Sequence, residues 1–71
     1  MMGKQEYLES FLDELDSTLS YGETKAALVS EFERIYVVRL LRTSGGNLSL
    51  AARSARMDRK HLHDLLNKHA K

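Results

Sequence analysis

Between Leu28 and Leu41 the chain carries apolar residues around most of a helical circumference, and no other stretch limits the fold as strongly. At about 100° per residue, Leu28, Phe32 and Ile35 fall along one stripe. Tyr36, Val37, Val38, Leu40 and Leu41 then spread apolar groups round the other sides. From Arg34 to Arg42 the only charged side chains are Arg34, Arg39 and Arg42. A helix apolar on nearly every side must be covered on more than one. In a chain of 71 residues, its own neighbours supply too little cover, and a second copy is the economical source of the rest. Leu28, Phe32, Ile35, Tyr36, Val37, Leu40 and Leu41 are therefore the expected dimer interface.

The rest of the chain also reads as helix, which makes the fold class all-α with four helices. It has no proline and only two phenylalanines, and its charged-apolar stretches suit helix better than strand. From Gln5 to about Leu19, the residues Tyr7, Leu8, Phe11, Leu12, Leu15 and Leu19 keep helical spacing with acids between them. Asp16-Ser17-Thr18 and Ser20-Tyr21-Gly22 weaken that pattern, so a break is expected near 17–23. Thr24 is a candidate N-cap for a second helix from about Lys25 to Thr43. Ser44-Gly45-Gly46 supplies a stop, since glycine takes the left-handed C′ conformation freely. Asn47 caps a short third helix from Leu48 to Ser54 or Ala55. After a turn at Arg56-Met57, Asp58 caps a fourth from Arg59 to about Lys68. Should the third helix end in a left-handed cap, its C′ residue falls near Arg56, with Met57 turning back onto the core. Residues 1–22 thus form an acidic helix and linker, and 23–71 the part ending in two short helices joined by a tight turn, the whole being a single compact domain. That last pair, alanine-rich first and basic at the start of the second, spells a helix-turn-helix.

Charge divides the same way. Residues 1–33 hold two basic and eight acidic side chains, whereas residues 34–71 hold nine basic and two acidic. Such asymmetry is expected when one end meets a polyanion, although two differently solvated faces would produce it as well. Without cysteine there is no disulfide framework and no thiolate zinc finger. No apolar run is long enough to span a membrane, and Met1-Met2-Gly3-Lys4-Gln5-Glu6 has no secretory apolar region. Gly45-Gly46 is followed by no Gly-Lys-Ser/Thr, so it is not a phosphate loop. His61 and His63 are two apart and point to different sides of a helix, and no thiolate or spaced carboxylate joins them in a metal site. Neither a cofactor nor a catalytic constellation is indicated, and the chain reads as a binding module.

The run Gly45-Gly46-Asn47-Leu48-Ser49-Leu50-Ala51-Ala52-Arg53, then Met57-Asp58-Arg59-Lys60-His61-Leu62 and Leu65-Leu66, resembles the Fis-type helix-turn-helix. This module is found in Fis and at the end of NtrC-type activators that work with sigma-54 RNA polymerase. The similarity covers roughly Leu28 to His69 and includes the spacing between helices. It implies a chain that dimerises through its first two helices and places two recognition helices in successive major grooves of a palindromic site. It further implies a bacterial transcription regulator in the cytoplasm, at the nucleoid. Contact with RNA polymerase holoenzyme, and any ATPase, would belong to domains outside these residues. Three departures stand out. Arg56 occupies a turn position where many family members have glycine, Asp58 and Asp64 put acids where polar or basic residues are common, and residues 1–22 fall outside the match.

By that resemblance Asn47 and Ser49 contact phosphates at the amino end of the third helix, which is also where caps belong. Arg59 takes the chief base-contacting position, where a guanidinium can grip guanine O6 and N7; the plainer reading is an exposed arginine paired with Asp58. Asp58, His61 and His63 fall where the family meets bases or backbone, with Lys60 beside them. Arg53 and Lys68 are candidate phosphate contacts, as is Arg56 if it lies near the duplex. Ala51 and Ala52 are packing residues, and His69 is expected on the tail surface. Two other readings remain open: a helical dimerisation or protein-interaction module, and a stand-alone Fis-like nucleoid protein.

Overall fold

The computed structural model describes residues 1–69; Lys71, one of the cations counted above, lies outside them. The described residues form four helices and no strand: α1 (Lys4–Glu14), α2 (Tyr21–Thr43), α3 (Leu48–Ala55) and α4 (Arg59–His69). None is long and apolar enough to cross a membrane.

Two boundaries differ from the sequence reading, each because a polar side chain takes over a backbone group. α1 stops at Glu14 rather than near Leu19, with Leu15 extended at ψ 155°. Beyond it, the Asp16 carboxylate accepts from the Thr18 amide at 2.9 Å and the Thr18 hydroxyl at 2.8 Å. The Leu19 amide donates to the Asp16 carbonyl at 3.1 Å, which closes the turn. Such local bonds give the backbone an alternative to helix. They also hold the Asp16 carboxyl below the usual carboxylate range, the Thr18 amide contributing most.

α2 begins at Tyr21, four residues before the expected start, because Ser20 rather than Thr24 is its cap. The Ser20 hydroxyl accepts from the Glu23 amide at 3.1 Å, and the Glu23 carboxylate accepts from the Ser20 amide at 2.9 Å. This reciprocal box satisfies two groups that a bare helix end leaves open. Thr24 sits within the first turn and donates its hydroxyl to the Ser20 carbonyl at 2.8 Å.

Helices α2 and α3 end in the same way. At the end of α2 the amides of Gly45 and Gly46 donate to the carbonyls of Arg42 (3.4 Å) and Leu41 (3.0 Å), with φ at 62° and 80°. At the end of α3 the amides of Arg56 and Met57 donate to Arg53 (3.1 Å) and Ala52 (3.0 Å), with Arg56 at φ 56°, ψ 43°. This bond pair is the Schellman motif, whose C′ residue is left-handed. Glycine fills that position after α2 and arginine after α3.

Both caps direct the chain back onto one small core. Val37, Leu40, Ala51, Ala52 and Leu62 are buried together, with Leu48, Ala55, Met57, Leu65 and Leu66 packed around them. Val37, Ala51 and Leu62 are fully enclosed. Small side chains at 51 and 52 let α3 approach its neighbours closely, and α2, α3 and α4 all pack on one another. α1 takes no part: none of its residues is buried and it belongs to none of these packed pairs.

The second helix therefore uses only one of its apolar sides within the chain. Relative to Phe32, the direction of Val37 is about 140° away and that of Leu41 about 180° away. Val37 is spent in the core, Leu41 is half-buried on the far side, and Leu40 is 9% exposed at the core's edge. Val37 and Leu41 therefore leave the expected dimer face, and Leu40 stays only at its edge. What remains outward is Leu28, Phe32, Ile35 and Tyr36, joined by Val29 and Arg39 within about 60° of Phe32. The rings of Phe32 and Tyr36 lie 5.5 Å apart. Phe32, Ile35, Tyr36, Arg39, Leu40 and Thr43 line a shallow groove of about 460 Å³ along this face.

Candidate nucleic-acid interface

The core fixes which sides of α3 and α4 look outward. On α3, burial of Ala51 and Ala52 leaves Ser49, Leu50, Arg53 and Ser54 exposed. On α4, Leu62 points in, and Leu65 and Leu66 flank it half-buried. Lys60, Asp64 and Asn67 then lie about 140–160° from Leu62, on the opposite side. Arg59 and His63 occupy one flank, His61 and Lys68 the other.

The two helix starts are capped by side chains expected to touch the polyanion. Asn47 Oδ1 accepts from the Leu50 amide at 3.0 Å. Asp58 Oδ1 accepts from the His61 amide at 2.7 Å. Asp58 thus has a local role, and its charge suits the positive end of a helix. Asn67 Nδ2 and His63 Nδ1 are 3.4 Å apart, which orients the His63 ring on the outer side of α4.

From α3 to the end of α4, four cations among the described residues have no acidic partner. Among the described residues, ion pairs within 4.0 Å join Arg34 to Glu31 and both Lys68 and His69 to Glu33. Arg53, Arg56, Arg59 and Lys60 have no such carboxylate, and all four are exposed. In particular, Arg59 is not paired with Asp58. One arginine at the end of α3, one in the left-handed turn and two cations on the first turn of α4 thus cluster along the chain where the helices meet.

The other flank of α4 behaves differently. His69, expected on the tail surface, has a side chain only 6% exposed, and its Nε2 donates to Glu33 Oε1 at 3.0 Å. Lys68 Nζ lies 3.6 Å from the same oxygen. His61 lines a cleft between α2 and α4 together with Glu33, Tyr36, Met57 and Leu65. The hydrogen bond from His69, aided by the charge of Lys68, holds the Glu33 carboxyl below the usual range against the opposing effect of burial. Lys68 and His61 are therefore engaged towards α2, whereas Arg59, Lys60 and His63 face away from it. The sequence held a signal for this clasp only in retrospect, since nothing local ties position 33 to position 69.

No family model matches the chain, and no curated protein or solved structure is significantly similar to it.

Proposed function

We propose that this chain is the dimeric helix-turn-helix module of a sequence-specific double-stranded DNA-binding protein, of the Fis type its sequence resembles. The observation that carries the reading is the set of exposed cations without acidic partners, Arg53, Arg56, Arg59 and Lys60, at the α3–α4 junction. A polyanion is the natural partner for four desolvatable charges held on a rigid pair of helices. α4 enters the major groove by its first turn, where Arg59 reads a base edge and Lys60 and His63 lie beside it. Arg53 and Arg56 hold phosphates, and the amino end of α3, with Asn47 and Ser49, holds another.

Dimerisation is supported by area. A folded monomer of 8.1 kDa exposes about 4,500 Å², and this chain exposes 5872 Å². The difference exceeds the roughly 800 Å² that each partner contributes to a standard interface. The radius of gyration, 14.4 Å, likewise exceeds the roughly 11 Å of a closed domain of this length. Two copies joined through the outer face of α2 present two α4 helices to successive major grooves, about 34 Å apart on straight DNA. The same outer face also favours a second reading, a helical protein-interaction module whose basic half is only a solvated surface.

Selection of bound duplexes from a random pool separates the two. A DNA module enriches a two-fold symmetric motif, and loss of that motif in Arg59→Ala ties it to α4. A pool that leaves the selection unenriched favours the interaction module.

A further inference from the structure

We propose that Asp64 is a specificity residue of the DNA surface: its carboxylate accepts from the amino group of a cytosine and turns the other bases away. The inference rests on the DNA reading above and names one base that the target must carry.

Asp64 is an unpaired acid on an otherwise basic surface. It is exposed, on the side of α4 opposite the buried Leu62. On a helix, the cations able to pair with it stand three or four positions away, at Lys60, His61 and Lys68. Yet no Lys, Arg or His nitrogen of the described residues lies within 4.0 Å of its carboxylate. Lys68, which follows the acid in the favoured order, is drawn to Glu33 at 3.6 Å instead. His61 lines the cleft between α2 and α4. Asp58 caps the helix, but Asp64 is its sixth residue, past the first turn where the positive end favours an acid. The clasp on Glu33 therefore takes the cation best placed to neutralise Asp64, and the charge is left facing outward.

A carboxylate only accepts hydrogen bonds, and duplex DNA offers it few donors. Phosphate oxygens repel it. In the major groove guanine shows the acceptors N7 and O6, thymine shows O4, and the adenine amino group sits beside the acceptor N7. The cytosine N4 amino group is the donor with no acceptor next to it on its own base. Arg59 and Asp64 stand about 140° apart around α4 and about 7.5 Å apart along it, with Lys60, His63 and Asn67 between them on the outward side. One side chain only donates and the other only accepts. Together they match a guanine at one point and a cytosine about two base-pair steps further on. At any other base in that place the carboxylate meets an acceptor, so the acid lowers affinity for wrong sites more than for the right one.

Selection from a random duplex pool with the full chain and with Asp64→Asn tests this, followed by titrations at matched salt on the enriched duplex, on the same duplex with its cytosine replaced, and on a scrambled one. Asp64 is exposed, so the substitution leaves the core untouched, and circular dichroism checks the helicity. The parent chain is expected to fix a cytosine in each half-site, and replacing that base costs it about 5- to 150-fold in affinity. Asp64→Asn loses the cytosine preference in favour of adenine, which an amide grips at N6 and N7, and keeps the guanine position set by Arg59. It also binds the scrambled duplex more tightly than the parent does, because a repelling charge is gone. A motif that Asp64→Asn leaves unchanged, a change at a base other than cytosine, or a gain in affinity equal on every duplex overturns the role of Asp64 and leaves the DNA reading standing. A parent chain that enriches no motif overturns both.

Discussion

Glu33 on α2 and His69 on the last turn of α4 are 36 positions apart and joined by a 3.0 Å hydrogen bond from the imidazole Nε2 to the carboxylate. With Lys68 on the same oxygen, this clasp closes the open end of a small three-helix core. It ties the last turn of α4 to α2, while buried Leu62 sets the side that α4 presents to solvent.

The clasp gives a signed pH dependence. The Glu33 carboxyl is held low by the His69 hydrogen bond and then by Lys68. A group whose folded pKa is depressed contributes stability that is fully present above its unfolded pKa and is lost as pH falls through the folded one. Glu33→Gln should therefore melt below the parent chain near neutral pH, by up to about 1 kcal/mol, or roughly 4–8 °C for a domain of this size. The gap should narrow as both chains are taken to acid pH. Thermal melts of the two chains across pH check it, and a constant gap would remove Glu33 from the account. His61 and Tyr36 line the same cleft, so His61→Ala is the control for a change in the cleft that leaves Glu33 in place.

Arg56→Gly should raise stability. Arg56 has a left-handed backbone at φ 56°, which costs a residue with a Cβ about 1–2 kcal/mol and glycine nothing. Greater freedom of the unfolded glycine chain offsets part of this gain. A higher melting temperature is expected, with weaker DNA binding at low salt if the guanidinium holds a phosphate. A lower melting temperature would contradict the strain, and unchanged binding at all salt concentrations would contradict the phosphate contact.

Ser20→Ala should cost about 1 kcal/mol, within the 0.5–2 kcal/mol usual for an N-cap, because the Glu23 amide loses its acceptor. Thr24→Ala should cost less, since the bond it gives up is a hydroxyl donated to a carbonyl already serving the helix. Paired urea melts measure both. Equal losses would mean that the box adds nothing beyond the first turn.

These cases show what the sequence makes legible. Asn47, Asp58, the Gly45-Gly46 stop and the left-handed turn at Arg56 are readable because each depends on residues within five positions. The Ser20–Glu23 box is equally local, since Ser-x-x-Glu ahead of an apolar run is its written form, and it places the cap four residues before Thr24. Leu15 and Leu19 kept the helical spacing of α1, but the Asp16–Thr18 turn overrode periodicity. Which apolar side of α2 goes inward was not legible, because Val37 and Phe32 are equally hydrophobic until α3 and α4 choose between them. His69 was unreadable for the same reason, its partner being set by packing alone.

Arg53→Ala and Lys68→Ala, both candidate phosphate contacts on sequence, should now behave differently. Arg53 is exposed without an acidic partner, so its loss should weaken all duplexes alike and flatten the salt slope by about one charge. Lys68 shares Glu33 with His69, so its loss should change DNA affinity less. Salt titrations on one specific and one scrambled duplex make the comparison, and equal salt slopes for the two variants would contradict it.

The central claim is that the first turn of α4 reads DNA sequence through Arg59. Its most direct measurement is the binding of the parent chain and Arg59→Ala to the selected palindromic duplex and to a scrambled one, at matched salt. The account predicts that the substitution costs about 1–3 kcal/mol on the palindrome, costs much less on the scrambled duplex, and relaxes choice at one base pair per half-site. Equal losses on both duplexes, or a parent chain that binds the two alike, would contradict it.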